Sequence, residues 1–208
     1  MTSAADARIV LSVLGKPNRD RVAERRSATR SEILTAAWDT ARERGLANLT
    51  LREVADRVGM RPPSLYSHFD SKNALYDAMF GQAWSECLAV MTECVRNLPD
   101  TPRGVLRSLA ATFFDFCVED LARFQLMNQR IVIDFEPSDE AYAPAVQTLD
   151  LFRNTLAELG IRDQQDVDLC VALTGGLIDA QLANDPGGDR WRRLLDRAVN
   201  MFAENVGL

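Results

Sequence analysis

Residues 59–72 read GMRPPSLYSHFDSK and combine a glycine, two adjacent prolines and a cluster of hydrogen-bonding side chains. Leu65 and Phe69 are four positions apart, which is the spacing of one face of a helix. Proline is tolerated in the first turn of a helix, because the N–H groups there have no intrahelical partner. The stretch therefore predicts a short helix that begins at the prolines, with Pro62 as the cap and Pro63 as the first helical residue.

Two helices are predicted before this stretch. A Thr-x-x-Glu capping box begins at Thr29 and another at Thr50, and this pattern is typical of a helix start. The first predicts a helix over about 30–44 that ends at Gly45, and the second predicts a helix of two turns that ends at Gly59. Two short helices joined by a glycine-containing turn, after a longer helix, are typical of a helix-turn-helix, whose second helix enters the major groove of DNA.

The rest of the chain repeats apolar residues at helical spacing, and no strand-like alternation of useful length occurs. We therefore predict an all-α fold of about nine helices. The acidic residues 134–144, DFEPSDEAYAP, are predicted to form a loop. The helices after the first three are expected from Ser71 to Pro99 and over about 101–119, 121–133, 145–159, 164–184 and 189–205.

The net charge of −6 is unevenly distributed along the chain. Residues 1–80 carry 13 Lys and Arg against 10 Asp and Glu, whereas residues 81–208 carry 11 against 20. Residues 8–30 alone carry 7 basic side chains against 2 acidic ones. A basic N-terminal third on an acidic body predicts a module that binds a polyanion. We divide the chain into a basic, flexible arm (1–28), a helix-turn-helix DNA-binding domain (29–80), and a ligand-binding and dimerisation domain (81–208).

Several classes of protein are disfavoured by composition. Four cysteines without a C-x-x-C pair and a single histidine argue against a metal site and a disulfide framework, so we expect no metal and no cofactor. No apolar run reaches the ~18 residues of a membrane span, so we expect a cytoplasmic protein without a membrane partner. An enzyme would need a nucleophile with a base, a carboxylate pair or a metal, and none can be assembled here. Cys87 and Cys94 share a helix face and are either buried side chains or a thiol sensor.

The polar side chains around the recognition helix predict how it contacts DNA. Tyr66, His68 and Lys72 are expected to donate to phosphates, whereas Arg61 and Ser64 are expected to reach base edges. The alternatives are that Tyr66 packs across the module, that His68 is structural and that Lys72 is a solvated charge. The arm either reaches a minor groove or is a solvated tail, and an arm that binds DNA without reading sequence is a further alternative. The predicted DNA-binding residues are Thr50, Arg61, Pro62, Ser64, Tyr66, His68 and Lys72.

The combination Leu-Tyr-x-His-Phe-x-Ser-Lys at residues 65–72 resembles the end of the DNA-binding module of the TetR family of bacterial regulators. The resemblance extends from Glu32 to about Met79 and is architectural over the rest of the chain. It implies a homodimer, a ligand-gated switch and repression of nearby genes. Arg61 stands where the family usually has Ser or Thr as the cap, and the loss of a hydroxyl cap costs about 1 kcal/mol. Pro63 stands where the family usually has Gly or Ala.

Aromatic and methionine side chains in the last part of the chain predict an apolar ligand pocket between helices. We expect a small apolar or aromatic effector to release the protein from a palindromic operator. Stripes of this kind are also typical of core packing, which is the alternative for each residue. The candidate ligand-binding residues are Trp84, Met91, Phe113, Phe116, Phe124, Met127, Asn128, Tyr142 and Phe152.

The last two helices form an amphipathic pair. A self-complementary four-helix interface across a two-fold axis is the predicted dimer contact. The alternative is that the pair closes the core of its own monomer. The candidate interface residues are Val171, Gly175, Ile178, Trp191, Leu195, Val199 and Phe202.

Overall fold

The computed structural model describes residues 18–208, with side chains from residue 21 onward. Between residues 18 and 208 the chain is helical and contains no strand, so the predicted all-α class is confirmed. None of the helices in this part of the chain is long and apolar enough to cross a lipid bilayer. The α-helices of the described residues are α1 (Asn18–Arg44), α2 (Leu51–Val58), α3 (Pro62–Tyr66), α4 (Lys72–Arg96), α5 (Pro102–Val118), α6 (Leu121–Asn128), α7 (Asp139–Glu158), α8 (Gln164–Asn184) and α9 (Leu195–Asn205).

Helices α1, α2 and α3 form the predicted helix-turn-helix module. Leu65 and Phe69 point inward and are almost fully buried, as their spacing predicted. The Thr50 hydroxyl accepts the N–H of Glu53 at the start of α2. Gly59 ends α2 in the left-handed conformation with φ of 71°, which glycine adopts without steric cost. The turn between α2 and α3 is therefore set by residues that the sequence identifies.

Helix α1 begins much earlier than predicted. It starts at Asn18 rather than near residue 30, so residues 18–28 of the predicted arm are helical. The prediction that a capping box at Thr29 starts this helix was therefore wrong. Residues 18–44 contain no proline or glycine and are rich in Arg, Ala and Glu, which favour helix, so nothing stops the helix at Thr29. Residues 1–17, where the rest of the predicted arm lies, are outside the described residues.

Helix α7 also begins earlier than predicted. The expected loop at 134–144 ends at Ser138, whose hydroxyl accepts the N–H of Ala141 and caps the helix. Acidic residues in the first turn, beginning with Asp139, are favourable near the positive end of the helix dipole. Pro144 lies inside α7 and removes a single backbone donor. A strong N-terminal cap therefore outweighs both Pro144 and the acidic composition from which the loop was predicted.

Other boundaries agree more closely with the sequence. Helices α4 and α5 begin after the predicted caps Ser71 and Thr101, each of which accepts a backbone N–H three residues on. Helix α6 ends at Asn128 rather than at 133, because the next residue takes an extended backbone conformation. Helix α9 begins at Leu195 rather than at 189, after the 3-10 turn Arg192–Leu194.

Helix α4 runs without a break from the DNA-binding module into the rest of the chain. It packs against α1 on the module side and against α5, α6 and α7 in the body. Its buried side chains include Leu75 and Met79 near its start and Cys87 and Met91 further along. One hydrophobic core extends across residue 80, where the domain boundary was placed inside this helix. The division at that residue therefore stays a prediction.

Tyr76 joins α4 to the loop between α1 and α2. The side chain is fully buried, and its hydroxyl donates to the carbonyl oxygen of Leu46 in the 3-10 turn Leu46–Asn48. Burial raises the pKa of Tyr76 to about 12, so the hydroxyl remains a donor at all physiological pH values. The hydrogen bond fixes the start of α4 to the turn that carries α2.

We expect Tyr76→Phe to lower the free energy of unfolding by about 1 kcal/mol, because a buried carbonyl loses one of its donors. The expected loss of stability is small for a buried hydrogen bond, because the N–H of Leu49 also bonds to the carbonyl of Leu46. Urea denaturation followed by circular dichroism measures the change. The matched control is Tyr66→Phe, at a half-exposed tyrosine, which should change stability by less than about 0.5 kcal/mol. Equal losses in the two variants would contradict this role of Tyr76.

The cysteines are reduced, and three of them are shielded from ionisation. Burial raises the pKa of Cys87 to about 12 and of Cys170 to about 11, and it also raises the pKa of Cys117. A thiol that stays protonated is a poor nucleophile. Cys94 is half-buried and its sulfur accepts the hydroxyl of Thr112 at 3.3 Å. These surroundings favour the interpretation of Cys87 as a buried side chain.

We expect the free energy of unfolding to fall as the pH rises above about 9. Unfolded thiols lose their protons near their ordinary pKa of 9.0, whereas the folded thiols of Cys87 and Cys117 keep them, so high pH favours the unfolded state. The expected loss by pH 10.5 is about 1–2 kcal/mol for each protected thiol. Urea denaturation at pH 8 and 10.5 measures it. Replacing Cys87 and Cys117 by alanine should reduce this dependence to the part that comes from Cys170 and Tyr76, and an unchanged slope would contradict the assignment.

Candidate DNA-binding surface and ligand cavity

The recognition helix α3 starts one residue earlier than predicted. Arg61 is the N-cap, with an extended backbone conformation, and its carbonyl accepts the N–H of Ser64 at 2.9 Å. Pro62 and Pro63 are the first two helical residues, so the prediction that Pro62 is the cap was wrong. Both prolines occupy the first turn, where a missing N–H removes no intrahelical hydrogen bond. No side chain caps this helix, as expected from the arginine at the cap position.

The outer side of α3 carries the residues that were predicted to meet DNA. Arg61, Ser64 and Tyr66 are exposed, and half of the Tyr66 surface is accessible. Pro62 is half-buried, and Leu65 points into the module. The helix therefore presents polar side chains outward from a base that is fixed by apolar packing.

Two arginines of α1 hold the C-terminal end of α3. Arg26 donates to the carbonyl oxygen of Ser67 at 3.3 Å, and Arg30 donates to the carbonyl oxygen of His68. The guanidinium of Arg30 also lies over the ring of Phe69, 4.2 Å from its centroid. The sequence analysis placed Arg26 in a flexible arm and Arg30 at the start of the first helix, and it missed this role of both. Their spacing of four residues was the available signal, because it puts both on one face of a helix.

Thr50 and Lys72 already have partners within the chain. The Thr50 hydroxyl donates to the Glu53 carboxylate at 2.8 Å, besides capping α2. The ammonium of Lys72 donates to the carbonyl oxygen of Ala47 at 3.0 Å, and partial burial lowers its pKa. An ammonium group has three N–H donors, so Lys72 keeps donors for a phosphate while it holds the loop. Thr50 can reach a phosphate only beside a carboxylate, which makes it the weaker candidate.

His68 borders an open polar cleft of about 630 Å³ between the module and the body. Arg26, Arg30 and Asp77 also line this cleft. The ring of His68 is half-buried, and its Nδ1 is buried without a hydrogen-bond partner among the described residues. A phosphate contact from this side chain therefore has to use Nε2.

A second cavity, of about 540 Å³, lies in the body and is lined mainly by apolar side chains. Its size is within the range of small-molecule sites, ~300–1,000 Å³. Helices α4 to α8 all contribute to its wall. The structure brings six of the nine candidate ligand-binding residues together at this cavity, namely Trp84, Met91, Phe113, Phe124, Asn128 and Phe152.

The other three candidates, Phe116, Met127 and Tyr142, do not line the cavity, and a role in ligand binding stays a prediction for them. Phe116 and Met127 are buried in the core, and the guanidinium of Arg123 covers the Phe116 ring at 3.9 Å. Tyr142 is half exposed on α7 and stacks on Phe80, with ring centroids 6.1 Å apart. Helical periodicity identifies apolar side chains but does not tell which side of a helix faces an internal space.

The cavity also has polar residues that the sequence analysis did not select. Asp179 and Thr174 of α8 and Thr148 of α7 contribute to its wall, together with Gln129. The amide of Gln129 donates to Oδ1 of Asp179 at 3.1 Å. Trp84 lines the cavity, and its indole N–H is buried without a partner among the described residues.

Most of the candidate dimer residues are used within the single chain. Ile178, Leu195, Val199 and Phe202 are buried, because α9 packs against α5 and α8. They leave little surface for a second chain, so the alternative that the helix pair closes the core of its own monomer fits these four residues. Trp191 is half-buried. The remaining candidates, Val171 and Gly175, line the ligand cavity.

Comparison with known proteins identifies relatives of the module and of a larger part of the chain. The family described as bacterial regulatory proteins, tetR family, matches residues 33–79. The chain is 32% identical over 102 residues to the HTH-type transcriptional activator FasR of Mycolicibacterium smegmatis. The alignment covers 49% of this chain and 46% of FasR. This match therefore spans about half the length of that relative. The chain is also 27% identical over 162 residues to the tetracycline repressor protein class A from transposon 1721 of Escherichia coli, covering 76% of this chain and 69% of the repressor.

The fold is also found in solved structures. The transcriptional regulator FadR from Bacillus subtilis, in complex with stearoyl-CoA, superposes with a TM-score of 0.68 at 14% identity and covers 83% of this chain and 96% of FadR. At that identity the similarity concerns the fold alone. Residues 33–79 therefore match the DNA-binding module of the TetR family of bacterial regulatory proteins, and the relatives support a TetR-family regulator.

Proposed function

We propose that the protein is a DNA-binding transcriptional regulator that responds to a small molecule. The observation that carries this proposal is the outer surface of α3, where Arg61, Ser64 and Tyr66 are exposed on a helix held rigidly from behind. A helix held in this way enters the major groove of DNA without a large ordering cost. Arg61 and Ser64 read base edges, and Tyr66, His68 and Lys72 contact phosphates.

The regulator acts as a homodimer on a palindromic operator. Helix α8 leaves Leu169 and Leu173 exposed one turn apart, and Leu194 and Met201 are exposed at and beyond the start of α9. Apolar side chains on two neighbouring helices suit a self-complementary four-helix contact across a two-fold axis. A dimer of this kind presents two recognition helices to two half-sites, so operator symmetry mirrors protein symmetry.

An apolar or aromatic effector occupies the cavity of the body and releases the protein from DNA. The aromatic and methionine side chains of its wall, among them Trp84, Phe113 and Phe152, support an apolar ligand. Repression is supported by the tetracycline repressor, whose alignment continues beyond the helix-turn-helix. The FadR structure, which contains stearoyl-CoA, supports a ligand site within this fold.

Helix α7 connects the cavity to the DNA-binding module. It contributes Thr148 and Phe152 to the cavity wall, and its cap residue Ser138 is bonded to Asp77 on α4. The N–H and the hydroxyl of Ser138 donate to the two carboxylate oxygens of Asp77 at 2.7 and 2.8 Å. A ligand shifts an equilibrium only by its differential affinity for two states. A displaced α7 would change the position of α4 through this pair, and α4 carries the module.

Selection of bound sites from random DNA tests the function directly. We expect a palindrome to be enriched, and its binding constant to fall with salt with a log–log slope of about −0.9 for each phosphate neutralised. Gel shift or fluorescence anisotropy across a salt series measures the slope. Salt-sensitive binding without any enriched sequence would identify a sequence-blind module instead. Absence of binding to any fragment would remove the proposal.

Arg61→Ala and Lys72→Ala should affect operator binding differently. Loss of a base contact at Arg61 should reduce discrimination at one operator position by about 1–3 kcal/mol. Loss of a phosphate contact at Lys72 should weaken binding to all DNA sequences about equally. It should also reduce the log–log salt slope by the contribution of about one phosphate. Anisotropy titrations with the operator and its single-base variants measure both effects.

The matched control is Arg162→Ala, at an exposed arginine between α7 and α8 that should leave operator binding unchanged. Unfolding midpoints are measured on the same samples, because Lys72 also holds the carbonyl of Ala47. If Arg61→Ala weakened every sequence equally, the base-reading role of this residue would be wrong.

A further inference from the structure

The wall of the ligand cavity contains a carboxylate and, among the described residues, no positively charged side chain. The carboxylate belongs to Asp179 on α8, which is exposed at the cavity wall. Its Oδ1 accepts the amide of Gln129 at 3.1 Å, and within residues 21–208 no donor is bonded to Oδ2. An ionised carboxylate accepts several hydrogen bonds and attracts a cation. The charged group that a ligand meets at this wall is therefore negative.

The arginines on the helices that surround the cavity, and Arg192 in the 3-10 turn before α9, have partners elsewhere. Arg107 pairs with Asp196, and Arg192 pairs with Asp115. Arg123 donates to the backbone of Phe116 and pairs with Glu119, and Arg153 donates to Gln164. None of these guanidinium groups lines the cavity. A ligand with a carboxylate or phosphate group therefore meets no cationic side chain among the described residues of the wall, only neutral donors such as the indole N–H of Trp84.

Arg130 is the cation that follows Gln129 in the chain. Its side chain is exposed, and it does not line the cavity. Arg107, Arg123 and Arg153 are also next to lining residues in the sequence, but they have partners elsewhere, so among the described residues Arg130 is the neighbouring cation that could meet an anionic group at the wall. This residue therefore has to be included in any test of ligand charge.

We propose that Asp179 makes the cavity selective for an apolar ligand whose polar group is neutral or cationic, such as an amine or an alcohol. Fatty carboxylates and acyl-CoA thioesters are disfavoured, because their anionic groups would approach Asp179 without a compensating cation. This proposal rests on the proposed function, since it assigns the chemical class of the effector. It distinguishes this chain from FadR, whose structure contains stearoyl-CoA.

The test compares probes that share a dodecyl chain and differ in charge: dodecyltrimethylammonium, dodecanol, dodecanoate and dodecanoyl-CoA. Binding to the full chain is measured by isothermal titration calorimetry below the micelle concentration of each probe. We expect the ammonium probe to bind most tightly and the two anionic probes to bind least. An ion pair at a partly exposed carboxylate is expected to change affinity by roughly fivefold.

Asp179→Asn removes the charge and keeps the size of the side chain, and its amide oxygen can still accept the N–H of Gln129. The variant should bind dodecyltrimethylammonium roughly fivefold more weakly and dodecanoate more tightly by a similar factor, and its affinity for dodecanol should be unchanged. The matched control is Asp168→Asn, at an exposed carboxylate of the same helix that does not line the cavity, and it should change none of the affinities. Arg130→Gln should leave the affinity for dodecanoate the same as in the unchanged chain.

Three results would overturn the proposal: tighter binding of dodecanoate or dodecanoyl-CoA than of dodecanol, loss of that binding in Arg130→Gln, or binding of none of the probes. Operator binding without ligand is measured on the same preparation. If the operator is bound and the charge preference is reversed, the ligand assignment alone fails. If no DNA is bound, the proposed function fails whatever the probes show.

Discussion

The burial of one face of helix α4, in the core of the helix-turn-helix and in the core of the body, is the constraint on which the rest of the structure depends. The first turns of this helix complete the core of the helix-turn-helix, and its later turns form part of the core of the body. A helix buried along its length cannot shift at one end without disturbing the packing at the other, because protein interiors are close-packed. The hydroxyl of Tyr76 on the carbonyl of Leu46 adds a directional bond to this apolar contact. The orientation of the recognition helix relative to the body follows from this packing.

The DNA-binding surface is shaped by contacts behind the recognition helix. Helix α3 has only five residues, and a helix of that length has little stability of its own. Two prolines restrict its start, Leu65 and Phe69 anchor it in the module, and the arginines of α1 bind carbonyl oxygens at its end. The extension of α1 therefore has a structural role in this chain. Its positive charges lie beside the end of the recognition helix, where DNA phosphates would be attracted.

The helix-turn-helix could be predicted from the sequence almost completely, whereas the sites in the body could be predicted only in part. Capping residues and glycines act on their own neighbours, so Thr50, Gly59 and Ser71 identified the helix boundaries that the structure has. Thr29 begins a capping box like that of Thr50, but no helix starts there, because the residues before it are equally good helix formers. Phe113 and Phe116 are both aromatic residues of α5, yet only Phe113 lines the cavity. Which side of a helix meets an internal space depends on distant helices, so no local pattern contains it.

The sequence by itself determined the helical class, the position of the recognition helix and the residues on its outer face. These features follow from local physical chemistry: the missing N–H of proline, the conformational freedom of glycine and the period of the apolar residues. Only the tertiary structure decided that Arg26 and Arg30 support the module, that Leu195, Val199 and Phe202 close the core of one chain, and that Asp179 contributes to the wall of an apolar cavity. Each of these facts depends on which helices pack together, and that packing is set by the whole set of buried surfaces rather than by any one segment.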